Sequence, residues 1–141
     1  MEIAVLALGC FWGPEIKFSK IVGIIRTEVG YCGGNSPQTT YKEVCTGTTN
    51  HAEVVKLEFD NKIISYSKIL EHFFEFHDPT TLNMQGPDRG TQYRSEIFYL
   101  NDSQKQIAEK VIDDENKKLS GKVVTKLSLL KNYCPAEEYH Q

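Results

Sequence analysis

The sequence predicts an α/β (α+β) fold, a two-layer sandwich in which helices cover a mixed sheet with a ferredoxin-like β-α-β-β-α-β core. Three observations carry this. Apolar runs and period-two alternation switch repeatedly to helical spacing, in the order β-α-β-β-α-β-α-β. Two long stretches, 31–50 and 78–93, hold the Gly, Pro, Asn and Asp that turn a chain, and long loops in compact domains usually carry function. No repeat, linker or low-complexity segment divides the chain, so residues 1–141 read as a single domain.

The first strand, residues 2–8, is the apolar run Ile3-Ala4-Val5-Leu6-Ala7-Leu8, which suits a buried position. Pro14 opens a short helix over roughly 14–20, because its missing N–H would have no partner in a first turn. Ile16 and Phe18 stand there among polar neighbours. Gly23 to Gly30 is a β-branched-rich strand, and Tyr31-Cys32-Gly33-Gly34-Asn35-Ser36-Pro37 reads as loop. Residues 51–59 alternate at Val55, Leu57 and Phe59, which buries one face. Asp60-Asn61-Lys62 turns the chain, and Ser65 caps a helix on which Ile69, Leu70, Phe73, Phe74 and His77 recur at helical spacing. After the 78–93 loop come a strand at Arg94–Leu100 and a charged helix at Asp102–Leu119 that turns Ile107, Val111 and Ile112 inward. Lys122–Leu130 is the last strand, and the remainder is tail.

Composition excludes several function classes. A net charge of −3 leaves no electrostatic footprint for nucleic acid or an anionic membrane. No apolar run approaches the length of a membrane span. The start, Met1-Glu2-Ile3, lacks the basic region of a signal peptide. Cysteines at 10, 32, 45 and 134 form no C-x-x-C pair and no disulfide framework, so reduced thiols in the cytoplasm are expected, with no metal.

The chain is organised around Gly9-Cys10-Phe11-Trp12-Gly13-Pro14-Glu15, between the first strand and the first helix. A thiol at a helix N-terminus meets the positive end of the macrodipole and unpaired N–H groups, which favour thiolate. A free cysteine is more often a small buried hydrophobe. The single Trp of the chain beside it tips the reading to a nucleophile.

Further signals follow in order: Gly-Tyr-x-Gly-Gly at 30–34, Tyr41-x-x-Val44-Cys45-x-Gly47, His51-Ala52-Glu53-Val54-Val55, His77-Asp78-Pro79-Thr80-Thr81 and Gly86-Pro87-Asp88-x-Gly90-Thr91-Gln92-Tyr93-Arg94-Ser95. With Gly-Cys-Phe-Trp-Gly, these resemble peptide methionine sulfoxide reductase, type A, from residue 9 to about 100 and weakly again at 136–141. Methionine sulfoxide is a reversible lesion, repaired by one enzyme for each epimer.

The resemblance implies roles. Cys10 matches the catalytic cysteine, whose thiolate attacks the sulfoxide sulfur. Glu53 matches the general acid that protonates the departing oxygen, which requires a dry, apolar site. Tyr41 and Tyr93 match a pair of hydroxyl donors to that oxygen, and Asp88 a residue supporting them. Phe11 and Trp12 match the walls of a pocket for the methyl group, one that selects the S epimer. The substrates implied are oxidised proteins or free methionine sulfoxide. No bound cofactor is expected, only an external thiol reductant, either glutaredoxin with glutathione or thioredoxin. A monomer is expected.

Taken without the resemblance, Glu53 reads as a solvated edge carboxylate, the tyrosines as boundary residues, and Phe11 and Trp12 as core. His51 and His77 read as structural. Rival readings are a cysteine hydrolase pairing Cys10 with His51, a thiol transferase, a zinc site drawing on Cys10, Cys32, Cys45, His51 and Cys134, and a peptide-binding module. The hydrolase leaves Glu53, Tyr41 and Tyr93 idle, and zinc lacks short ligand spacing.

Three departures from the family pattern stand out. Asn50 replaces a usual glycine, Met84 a frequent arginine, and the sequence stops at Gln141, where many members continue into a glycine-rich tail with resolving cysteines. Cys134, in a patternless stretch, and Cys32 are the candidate resolving thiols. The expectation is a one-cysteine enzyme whose Cys10 sulfenic acid is reduced by an external thiol.

Overall fold

The computed structural model describes residues 2–8, 12–32, 52–77, 80, 84–85, 88–89, 94–130 and 133–135. Strand β1 (Glu2–Leu8) is followed by α1 (Trp12–Ser19), β2 (Ile24–Cys32), β3 (Ala52–Phe59) and α2 (Tyr66–Glu75). Then come β4 (Met84–Gln85), β5 (Asp88–Arg89), β6 (Ser95–Tyr99), α3 (Asp102–Lys118), β7 (Lys126–Leu129) and β8 (Cys134–Pro135).

The main sheet has the order β7-β6-β1-β3-β2-β8. Its centre, β6-β1-β3-β2, is antiparallel throughout, with the fourth core strand outside the first. That is the expected ferredoxin-like arrangement. The sheet is mixed because β7 joins β6 in parallel after the α3 crossover.

Each face of the sheet has its own apolar cluster. On the helix side, Leu6, Leu8, Tyr31, Val55, Leu57, Phe59 and Ile97 pack with Phe18 of α1, Ile69, Leu70 and Phe73 of α2 and Ala108 of α3. The opposite face gathers Val5, Ala7, Cys32, Ala52, Val54 and Phe98. β1 and β3 are central and covered on both sides, which explains why β1 reads as an unbroken apolar run.

Local chemistry sets the helix starts. The Ser65 hydroxyl accepts from the Lys68 N–H at 3.1 Å, as expected of a cap. Asn101 caps α3 by accepting from the Gln104 N–H at 2.9 Å. Gln104 then accepts from the Leu100 N–H and donates to the Ile3 carbonyl, stitching α3 to β1. Ile107, Val111 and Ile112 pack inward as their spacing implies.

Several readings are corrected. Helix α1 starts at Trp12, two residues before Pro14, which still lies among the first four N–H positions that lack partners. Ile16 faces solvent at 56% exposure, while Phe18 is fully buried in the core. Tyr31 and Cys32 are strand, paired with Glu53 and Ala52; a long antiparallel ladder outweighs the local turn signal of the glycines that follow. The stretch around Cys134 is no patternless tail, since β8 pairs with β2 at Gly30↔Pro135 and Tyr31↔Cys134. The loop expected at 78–93 holds a small β4-β5 ladder. The last strand is shorter than expected, Lys126–Leu129.

Candidate active site

One end of the sheet collects the strand ends that matter. Leu8, the last residue of β1, faces Ser95, the first of β6. β1 and β3 run antiparallel from Glu2↔Phe59 to Leu6↔Val55, so the start of β3 lies at this same end. There Glu53 faces Tyr31 of β2, and Tyr31 faces Cys134 of β8 on its other side. Cys10 follows β1 by two residues, and Tyr93 precedes β6 by two.

Glu53 is the best-defined member. Its residue is 0% exposed, and both carboxylate oxygens are shut off from solvent. Directly opposed residues of a ladder share a face, so Glu53 lies on the helix side with Tyr31, itself 0% exposed. Ala52, Val54 and Val55 around it are equally buried. The solvated edge carboxylate is thereby excluded.

Trp12 begins α1, Asp88 lies in β5 and Cys134 in β8, each described through its backbone. Cys10, Phe11, Tyr41, Cys45, His51 and Tyr93 lie outside the described residues. Cys32 is fully buried on the face opposite the helices. Among the described residues, no three His, Cys, Asp or Glu side chains gather as a metal site would need. No helix among them is long and apolar enough to cross a membrane.

Two polar clusters flank the start of β6, and neither was used in the sequence reading. On the helix side, His77 Nε2 lies 2.7 Å from Ser95 Oγ, and Ser95 Oγ 2.7 Å from Thr125 Oγ1. On the other face, Arg94 Nε donates to Glu96 Oε1 at 2.6 Å, and Ser128 Oγ donates to Glu96 Oε2 at 2.5 Å. Arg94, Ser95 and Glu96 are all buried. The motifs His77-Asp78-Pro79-Thr80-Thr81 and Tyr93-Arg94-Ser95 were the available signal.

A profile of the peptide methionine sulfoxide reductase family matches residues 2–141. The chain belongs to this family. It is 79% identical over 141 residues to the peptide methionine sulfoxide reductase MsrA of Pelagibacter ubique, covering 100% of this chain and 96% of that one. Its fold matches methionine sulfoxide reductase A of Corynebacterium diphtheriae with a TM-score of 0.95 at 36% identity, over 99% of this chain and 72% of that one. It also matches Mxr1 from Saccharomyces cerevisiae in complex with Trx2, with a TM-score of 0.65 at 27% identity, over 94% of this chain and 78% of that one. Thiol-dependent reduction of methionine sulfoxide is thus the activity of this reductase.

Proposed function

We propose that this reductase acts on methionine-S-sulfoxide, with Cys10 as nucleophile and Glu53 as general acid. The observation that carries the assignment is the buried carboxylate of Glu53 at the sheet end where β1 leads toward Cys10. A carboxyl group held away from water is the kind of group that keeps a proton to give near neutral pH.

The step balances simply. The Cys10 thiolate takes the oxygen from the sulfoxide, Glu53 supplies one proton to it, and the products are methionine and a Cys10 sulfenic acid. Tyr41 and Tyr93 donate hydrogen bonds to the oxygen as charge builds on it, and Asp88 supports them. Phe11 and Trp12 wall the methyl pocket and select the S epimer.

In this reading Cys10 works without an internal resolving thiol, and the two candidates among the described residues lie away from the end of β1. Cys32 is buried on the far face. Cys134 sits on the edge strand, with β2 and β3 between β8 and β1. Three strand spacings, about 14 Å, separate β8 from β1, the strand that leads toward Cys10. Tyr133 holds that edge in place. Its hydroxyl donates to Glu28, and Lys56 Nζ sits 5.1 Å from its ring centroid.

The sulfenic acid then condenses with an external thiol, releasing water, and a second thiol frees Cys10 as a disulfide of the reductant. The Trx2 complex of the yeast relative favours a protein dithiol of that kind, with glutaredoxin and glutathione as the second source. A cytoplasmic monomer suits this recycling, since thiols are held reduced there.

The test is turnover of resolved S and R sulfoxides with a chemical dithiol, for the wild type and Cys10→Ser. Turnover of S alone, abolished in Cys10→Ser, is expected, because a lost nucleophile costs several kcal/mol. Turnover of R, or more than about a tenth of the activity in Cys10→Ser, would overturn the assignment.

A further inference from the structure

His77 is bound at both ring nitrogens, and for a neutral ring its partners set the direction of the chain. Nδ1 lies 2.6 Å from the Phe73 carbonyl, which only accepts, so Nδ1 carries the hydrogen. In the neutral ring Nε2 is then an acceptor, so Ser95 donates to it and, with its hydrogen committed, accepts from Thr125. The ring packs between Phe73, at 4.5 Å between centroids, and Phe74, at 6.3 Å.

This chain of bonds ties three segments together at the active end of the sheet: the end of α2, the start of β6, and Thr125, which immediately precedes β7. Ser95 is the register partner of Leu8. It is therefore two residues from Tyr93 in sequence and lies across the ladder from the residue two before Cys10. A small shift of Ser95 moves both strand ends that lead to the nucleophile and the oxygen donor. Misplacement of reacting groups by about 1 Å costs on the order of a hundredfold in rate.

We propose that His77 is a positioning residue for sulfoxide reduction, acting through Ser95 to hold the start of β6 against the end of β1. The proposal rests on the roles given above to Cys10 and Tyr93.

The test is single-turnover reduction of methionine-S-sulfoxide by prereduced enzyme, measured across substrate concentration, with folded protein counted by near-ultraviolet circular dichroism. For Ser95→Ala the rate at saturation should fall roughly ten- to a hundredfold, with half-saturation moving less than about twofold. His77→Phe should match it, and the double variant should be no slower than either, since both remove the same link. His77→Gln, whose amide oxygen can accept from Ser95, should recover most of the rate. If Phe at 77 prevents folding, Ser95→Ala and Thr125→Val carry the measurement. Wild-type rates in Ser95→Ala, or lower thermal stability alone, would overturn the proposal. Loss of reduction in Cys10→Ser with full activity in Ser95→Ala would reject His77 alone, whereas activity in Cys10→Ser would reject the roles on which it rests.

Discussion

Glu53 shows how far a single residue can depart from its default. Carboxylates are rarely buried, yet this one is 0% exposed in the middle of a ladder. The sequence pattern of β3 places it on the same face as Val55 and Leu57, but solvation is decided by β2 and the helices, which no local window contains. Only the family resemblance marked it as an acid. Glu53→Gln keeps a hydrogen-bonding amide and removes the transferable proton. The single-turnover rate should fall roughly a hundredfold or more with little change in sulfoxide binding. An unchanged rate across neutral pH would assign the proton to another group. His77 shows the opposite case: its helical spacing was legible, but its bond to Ser95 depends on a strand 18 residues away.

Among the elements, long periodic segments were readable and short ones were not. The Ser65 cap, the α2 stripe and the inward face of α3 follow from side-chain spacing alone. Strand β8, two residues long, has no pattern of its own and exists because β2 offers an unpaired edge. The corner between α1 and β2 is a sharper case. Gly23 has φ +103°, and a Cβ there would lie 2.6 Å from Ile64 Cγ2. Gly121 has φ +78° with open space around it. Gly23→Ala should lose about 2–4 kcal/mol in denaturant unfolding, combining backbone strain with a clash, and Gly121→Ala only about 1–2 kcal/mol. Equal losses would mean that the Ile64 contact relaxes freely.

At the scale of the molecule, the strand order followed from the alternation of elements because β-α-β-β-α-β has few compact solutions. Which strand ends converge did not follow, since register is set by pairing rather than by sequence spacing. Global stability carries a second long-range signature in Tyr66. Burial, with a smaller contribution from the charge of Glu2, pushes its phenol well above its ordinary value. Among the described residues its hydroxyl has no hydrogen-bond partner. Above about pH 10 the unfolded chain loses this proton while the folded chain keeps it, so stability falls as pH rises. Tyr66→Phe should remove up to about 1.4 kcal/mol per pH unit of that slope, and should be neutral or stabilising at pH 7. Parallel unfolding curves for the two proteins from about pH 9 to 11 would contradict it.

In the proposed reaction Cys10 alone carries the oxygen between substrate and external reductant. This is tested most directly by mixing fully reduced protein with one equivalent of methionine-S-sulfoxide, without added thiol, and trapping the product with a sulfenic-acid reagent for peptide mass spectrometry. One equivalent of methionine together with the trapped adduct on Cys10 is the expected result. A Cys10–Cys134 or Cys10–Cys32 disulfide formed at the rate of turnover would contradict it.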